Sequence, residues 1–380
     1  MNILFACGGT GGHINPALAV ANYIHAQRPE VSICFAGNPN GMESRLIPQA
    51  GYKMYPIHVL GFQRRPSLHN LKNNCMAACY LFTSSIRTKE ILKEFQPDVV
   101  VGTGGYVSGP ILRGAAKQKI PTVTHESNAY PGVTTRLLCR YVDKVLLAVE
   151  DAKKYLDANR EYIITGNPVR EEIIFASRKE ARKKLRIPEN QFCLLSFGGS
   201  LGAQRINEAV ADLIAWHTKE HPGQIHHIHA TGSYGVELLP RLLGERGVDY
   251  KNIPTLDIRE YINDMADCMA AADLVISRAG SLTLSELEAV GRAAILIPSP
   301  NVAANHQYYN AMALANRKAA EVVEEKNLTG DWLRREVEKF FTQPDKLLEY
   351  SRNSLGMAVP DATRRIAQVV WEMGKGQGTL

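Results

Sequence analysis

Two doubly wound α/β domains, each a parallel sheet covered by helices, are what this sequence predicts, and three observations predict them. The chain has 380 residues, more than one ordinary hydrophobic core encloses. Short apolar strands alternate with segments of helical spacing along its length. A strand, a glycine loop and a helix follow one another directly near the start, and the same succession recurs about half a chain later.

Asn2–Cys7 is the first strand, Gly8 to Gly12 the first glycine turn, and residues 16–25 carry apolar side chains at helical spacing. The apolar run has no basic leader and stops at glycines, so it reads as a buried strand and not as a signal peptide. The following strand ends Phe35-Ala36-Gly37-Asn38. Further buried strands are expected at 99–101, 122–124 and 144–148, each separated from the next by a helical segment. Gly166 and Pro168 then interrupt the pattern, which puts the domain boundary near residues 163–170. Phe192–Phe197 repeats the opening strand, Gly198-Gly199-Ser200-Leu201-Gly202-Ala203 repeats the glycine turn, and 205–216 repeats the helix. Strands at 225–229, 274–277 and 293–297 continue the second sheet, and helical sequence over 331–374 closes the chain. The expected domains are 1–163, joined by a C-terminal helix at about 357–380, and 164–356. In such folds ligands collect at the carboxyl ends of the strands, and we expect the two domains to face a central cleft.

Composition narrows the class. Apolar residues make up 45% and charged residues 22%, with no long polar or repetitive stretch, so the whole chain should fold. No run approaches the roughly 18 apolar residues of a spanning helix. Seven scattered cysteines without a CxxC pair fit neither a disulfide framework nor a zinc site, which implies a reducing cytoplasm. Net charge is +6, and it is unevenly spread: residues 1–150 hold 15 Lys+Arg against 8 Asp+Glu, the remainder 29 against 30. A basic first half points to nucleic acid, an anionic membrane surface or a phosphate-bearing substrate.

Glycines directly after a strand let backbone N–H groups and the positive end of the next helix approach phosphate oxygens. Neither loop is a dinucleotide fingerprint, because Ile14 stands where the third glycine belongs and the strand ending at Asn38 brings no acid. Neither is followed by Lys-Ser or Lys-Thr, so a Walker loop fails too. A third phosphate candidate is Ser277-Arg278-Ala279-Gly280-Ser281-Leu282-Thr283-Leu284-Ser285-Glu286, a strand running through a Gly/Ser/Thr turn into a helix. Glu286 could favour the helix start or accept both hydroxyls of a ribose, and the two roles are compatible. No Asp-x-Asp pair occurs, so no metal and no other cofactor is expected; backbone amides and helix ends would stabilise a leaving pyrophosphate.

Taken in order, the 8–13 loop, Gly102-Thr103-Gly104-Gly105-Tyr106-Val107-Ser108-Gly109-Pro110, His125-Glu126-Ser127-Asn128, Gly166-Asn167-Pro168-Val169-Arg170, the 198–203 loop, the 277–286 segment and Pro360-Asp361-Ala362-Thr363 resemble glycosyltransferase family 28, specifically the bacterial N-acetylglucosaminyltransferases of peptidoglycan synthesis. The resemblance implies the GT-B fold, with two Rossmann-like domains. It implies inverting transfer of GlcNAc from UDP-GlcNAc to the MurNAc 4-hydroxyl of undecaprenyl-pyrophosphoryl-MurNAc-pentapeptide (lipid I), giving lipid II. The first domain would face acceptor and membrane, and the second would bind the donor.

By motif, the implied donor contacts are Thr10, Gly11, Gly12, Asn128, Arg170, Ser200, Ile262, Ser281, Leu282, Thr283, Leu284, Ser285, Glu286 and Gln307. The Gln307 amide can donate and accept, which suits sugar hydroxyls, although without the family resemblance a surface glutamine at a helix start is the favoured reading. His13 and Glu126 compete as general base, the imidazole favoured because it exchanges protons near neutrality, with Asn128 orienting substrate. Ser127 and Asn305 depart from the family, where Gln and Asp are common.

An acceptor held in an anionic inner leaflet gives the basic first half a reason. The expected location is peripheral, on the cytoplasmic face of the bacterial inner membrane, with other cell-wall synthesis proteins as neighbours. The candidate membrane and acceptor side is Phe62, Arg64, Arg65, Lys72, Tyr80 and Phe82, while Leu71, Cys75, Cys79, Phe82 and Ile86 follow helical spacing and are assigned to core. Two other classes compete: a UDP-GlcNAc epimerase on the same scaffold, and a basic nucleic-acid-binding protein. The lack of any nucleic-acid-binding motif speaks against the latter, and no nucleic-acid partner is expected.

Overall fold

In the computed structural model, which describes residues 1–59 and 83–380, the chain divides into two compact units. Unit 1 is Met1–Pro168 with Pro360–Leu380, and unit 2 is Val169–Val359.

Unit 1 is built on a seven-stranded sheet, all of whose neighbours are parallel: β1 (Asn2–Cys7), β2 (Ser32–Gly37), β3 (Lys53–Pro56), β4 (Val99–Gly104), β5 (Thr122–Glu126), β6 (Lys144–Leu147) and β7 (Ile163–Ile164), in the order β3-β2-β1-β4-β5-β6-β7. The chain moves outward from β1 in one direction, then returns to β4 and moves outward in the other. β1 and β4 therefore flank the point where strand order reverses, and the helices that follow them cover opposite faces of the sheet. β1 is apolar from Ile3 onward because both its faces are covered: Ile3, Phe5 and Cys7 join the core layer that holds α1 (Gly11–Gln27), while Leu4 and Ala6 join the layer that holds α3 (Ser108–Lys117). Between these helices lies α2 (Glu43–Gln49), which follows β2.

The expected helical region 331–374 is three helices, Gly330–Thr342, Pro344–Met357 and Ala362–Met373. Pro344 opens the second because its fixed φ and missing N–H suit a helix start and not an interior. Only the third returns to unit 1, where Ile366, Ala367, Val370 and Trp371 bury against the α1 layer.

Unit 2 repeats the design with six parallel strands, β8 (Phe192–Phe197), β9 (Ile225–Ala230), β10 (Leu256–Arg259), β11 (Leu274–Ser277), β12 (Ala293–Leu296) and β13 (Ala320–Val322), ordered β10-β9-β8-β11-β12-β13. The reversal falls between β8 and β11. α4 (Gln204–Glu220) follows β8, α5 (Ser281–Val290) follows β11, and α6 (His306–Ala315) precedes β13. The strands missed by the sequence reading, β3, β7, β10 and β13, are edge strands or next to an edge, two to four residues long and incompletely buried.

One assignment is corrected. Ile86 is half exposed, not core, because the buried face of its segment is set by Ser84, Thr88, Ile91 and Leu92, a spacing that turns Ile86 to the opposite side. Leu71, Cys75, Cys79 and the membrane-side candidates Phe62, Arg64, Arg65, Lys72, Tyr80 and Phe82 lie outside the described residues.

Candidate functional site

The switch point of unit 1 brings the 8–13 and 104–108 loops together. His13 lies in the first turn of α1, whose N-terminal flank Thr10 is extended and whose Pro16 brings no N–H for the carbonyl of Gly12. Its ring Nδ1 lies 3.1 Å from the Gly8 carbonyl oxygen and 3.4 Å from Thr10 Oγ1. A carbonyl can only accept, so Nδ1 carries a proton, and the lone pair of the neutral tautomer is on Nε2. Thr103 Oγ1 donates to the His13 backbone carbonyl at 2.6 Å, tying the turn to β4. The ring lies against Gly104, where φ is +110° and a Cβ would come within 2.6 Å of His13 Cδ2; any side chain there would displace the imidazole.

Thr10, Gly11 and Gly12 occupy the α1 start as expected, but the same loop is held from beneath by a residue the sequence reading missed. Buried Glu43, from α2, accepts hydrogen bonds from Gly9 N and Asn38 N, both at 3.1 Å. The acid sought at the end of β2 is therefore present five residues later. It bonds to backbone N–H groups, so the residue count from the glycines gives no signal of it.

Glu126, at the carboxyl end of β5, is one strand further out and shares no hydrogen bond with His13. Its carboxylate accepts from Thr135 Oγ1 at 2.6 Å, Gly132 N at 2.9 Å, and Asn128 N and Nδ2 at 3.0 Å each. Four donors occupy its oxygens, and the side chain organises the 126–135 turn, including Asn128. Ser127 is buried, and its Oγ has no hydrogen-bond partner among the described residues.

In unit 2 the switch point gathers most of the expected donor residues. Ser200 is exposed in the loop after β8. Ser281, Leu282, Thr283, Leu284, Ser285 and Glu286 form the first turns of α5, behind Gly280, which has no side chain to cap the leading N–H groups. Leu284 is buried and faces the core. Glu286 does not cap the helix. It pairs with Arg170, whose Nε is 2.9 Å from Glu286 Oε1. Burial pushes the Glu286 carboxyl above the usual carboxylate range, and the Arg170 guanidinium opposes that shift. The Ile262 side chain belongs to the core, which leaves its backbone for any ligand contact. Gln307, in the first turn of α6, is half buried, and its Oε1 accepts from Ser299 N at 2.9 Å. Gln307 thus stands at a helix start with its Oε1 taken by the Ser299 N–H. Asn305 adopts the left-handed conformation ahead of α6, φ +53°, which Asn tolerates better than most residues.

Cavities open at both ends of the unit 2 sheet. One of about 530 Å³ is lined by Arg178, Phe192, Gly223, Gln224 and Asp273, at the amino ends of the strands, the wrong end for the glycine loops. A second of about 250 Å³, lined by Arg205, Pro298, Asn305, Tyr308 and Glu325, lies on the carboxyl-end side, beside the start of α6.

The chain matches the N-terminal domain of glycosyltransferase family 28 over residues 3–147 and the C-terminal domain of that family over residues 193–366. It is 42% identical over 377 residues to the UDP-N-acetylglucosamine--N-acetylmuramyl-(pentapeptide) pyrophosphoryl-undecaprenol N-acetylglucosamine transferase of Acetivibrio thermocellus, covering 99% of both chains. To the protein of the same name from Halalkalibacterium halodurans it is 37% identical over 375 residues, 99% of this chain and 100% of the relative. Among solved structures it is similar to Acinetobacter baumannii MurG, with TM-score 0.79 and 28% identity over 98% of this chain and 99% of that one. A UDP-GlcNAc 2-epimerase from Neisseria meningitidis, at TM-score 0.66 and 14% identity over 98% of this chain and 100% of that one, shares the fold alone. Two parallel sheets of seven and six strands with alternating helices are the GT-B plan, and the chain belongs to glycosyltransferase family 28.

Proposed function

We propose that this chain transfers N-acetylglucosamine from UDP-N-acetylglucosamine to the MurNAc 4-hydroxyl of lipid I, giving lipid II. The observation that carries the reading is the identity of 42% over 99% of the chain to a transferase named for that reaction. Each unit supplies chemistry to match. With Nδ1–H committed to the Gly8 carbonyl, His13 Nε2 is the lone pair that takes the proton of the attacking hydroxyl. Glu126 is the weaker candidate because its oxygens already accept four hydrogen bonds. The α5 start and the 198–203 loop meet the diphosphate of the donor, offering N–H groups and the helix dipole to the charge that develops as UDP leaves. Glu286, steadied by Arg170, accepts the ribose hydroxyls, and the Gln307 amide reads the sugar. Inversion follows if the hydroxyl displaces UDP in a single step. These groups do the work without a metal ion.

The enzyme acts as a peripheral protein at the cytoplasmic face of the bacterial plasma membrane. The excess of Lys and Arg in residues 1–150 supports this placement, and no helix among the described residues is long and apolar enough to cross a membrane.

The test mixes the chain with radiolabelled UDP-GlcNAc and a short-chain lipid I analogue, with and without EDTA. UDP is expected only when acceptor is present, at equal rates in both. His13→Ala should lower kcat by about 10²-fold or more with little change in donor KM, whereas Glu286→Ala should raise donor KM. A new UDP-sugar formed without acceptor would sink the transferase reading, and loss of turnover in EDTA would sink metal independence.

A further inference from the structure

A chain of buried polar side chains runs through unit 2 beneath the 198–203 loop, and nothing in the proposed reaction uses it. It starts on α4 and crosses the sheet from β9 to β8 and back. His217 Nε2 is 3.1 Å from His227 Nδ1, His227 Nε2 is 2.7 Å from Ser196 Oγ, and Ser196 Oγ is 2.7 Å from His229 Nδ1. His229 Nε2 is 3.0 Å from Asn207 Oδ1, and Asn207 Nδ2 is 3.0 Å from the Thr231 carbonyl oxygen. All five side chains are buried.

The last bond fixes the direction of every other. A carbonyl oxygen only accepts, so the Asn207 atom facing Thr231 is its NH2 and the atom facing His229 is its oxygen. His229 therefore donates from Nε2 and accepts at Nδ1 from the Ser196 hydroxyl. Ser196 in turn accepts from His227 Nε2–H, and His227 accepts at Nδ1 from His217 Nε2–H. One arrangement satisfies all five contacts, with each imidazole neutral and protonated on Nε2.

The end of this chain is the floor of the glycine loop. Gly202 has φ +82°, and a Cβ on it would meet the Thr231 carbonyl oxygen at 2.1 Å; a Cβ on Gly232 would meet Gly202 N at 2.0 Å. The loop closes on the same floor through Tyr234 N, which donates to the Leu201 carbonyl at 3.1 Å. The backbone that carries Ser200 thus rests directly on the carbonyl that Asn207 holds.

We propose that Asn207 is a positioning residue for the donor diphosphate, setting the height of the 198–203 loop through the Thr231 carbonyl, and that Ser196 and His229 lock the orientation of its amide. This rests on the reading that the loop meets UDP-GlcNAc. A flipped amide would put Oδ1 against the Thr231 carbonyl and NH2 against His229 Nε2–H, and the loop floor would move away from both repulsions.

The test is steady-state kinetics of the full chain with UDP-GlcNAc and the lipid I analogue. Asn207→Asp keeps the shape and the bond from His229 but turns a carboxylate oxygen to the Thr231 carbonyl. Donor KM should rise about tenfold, the scale of one lost buried hydrogen bond, with acceptor KM unchanged and kcat within about threefold. Ser196→Ala, one link further back, should shift donor KM in the same direction by less and provides the reading if Asn207→Asp does not fold. Phe340→Leu, a core cut in the same unit next to Phe341, which packs on Phe192 at the amino end of β8 and so opposite the loop, controls for general loosening and should leave donor KM alone. Donor KM unchanged in both chain variants, or raised equally in Phe340→Leu, overturns the proposal while leaving the transferase reading intact. Wild-type protein that releases no UDP from UDP-GlcNAc with acceptor present overturns both.

Discussion

At the scale of single residues, the two carboxylates and one imidazole singled out by sequence are separated by what surrounds them. His13 and Glu126 each follow a strand and each could take a proton. Glu126 is saturated by four donors, whereas among the described residues the His13 ring bonds to the protein through Nδ1 alone. The expected outcome for Glu126→Gln is a loss of stability, because its NH2 would confront either the Thr135 hydroxyl and Gly132 N–H or the Asn128 N–H groups. The cost should be about 1–3 kcal/mol for a buried group left unpaired, measured as a lower midpoint in urea. Substantial kcat should survive at temperatures where the variant is folded. Normal stability with kcat abolished would instead make Glu126 the base.

At the scale of elements, each unit packs the loop after its first strand, β1 or β8, against the loop after a neighbouring strand, β4 or β9, with glycine where no side chain fits. In unit 2 the contact is Gly202 on the Thr231 carbonyl. Gly202→Ala combines a left-handed backbone, which disfavours any Cβ by about 1–2 kcal/mol, with an overlap that only movement of the loop or of the 231–235 turn can relieve. Destabilisation above about 2 kcal/mol is expected, together with weakened donor binding in calorimetry. A variant as stable as wild type that binds UDP-GlcNAc equally would show that the loop yields freely.

At the scale of the whole molecule, the buried histidines link folding to pH. Burial holds the His217 and His229 imidazoles down to about 4, and burial, helped by the neighbouring imidazoles, holds His227 well below its ordinary value of 6.5. Above pH 6.5 these groups are neutral folded or unfolded. As pH falls below 6.5 the unfolded chain binds protons that the folded chain refuses, so their stability is present above 6.5 and is lost progressively down to about 4. The thermal unfolding midpoint should fall across that window, and His217→Gln, with one fewer group to protonate, should show a shallower fall between pH 6.5 and 5. A midpoint that stays flat from pH 7 to 5 would contradict the neutral, buried assignment.

The sequence by itself determined the class of fold, because the central strands β1, β4, β8 and β11 are buried on both faces and must be apolar runs, and because glycine loops between strand and helix are local in the chain. It also placed His13, Ser200 and the 281–286 helix start, since each lies within a few residues of a strand end that the apolar pattern marks. Short, half-covered edge strands such as β10 and β13 escaped it, because a strand with one neighbour and an incompletely buried face carries little apolar signal. Only the tertiary structure decided the partners. Glu43 meets Gly9 across 34 residues, Arg170 meets Glu286 across 116, and Ser196 bridges His227 and His229 from the adjacent strand. Which polar group satisfies which is set by strand order and register, and neither periodicity nor motif spacing records that, so the chemistry of each residue was legible before its role was.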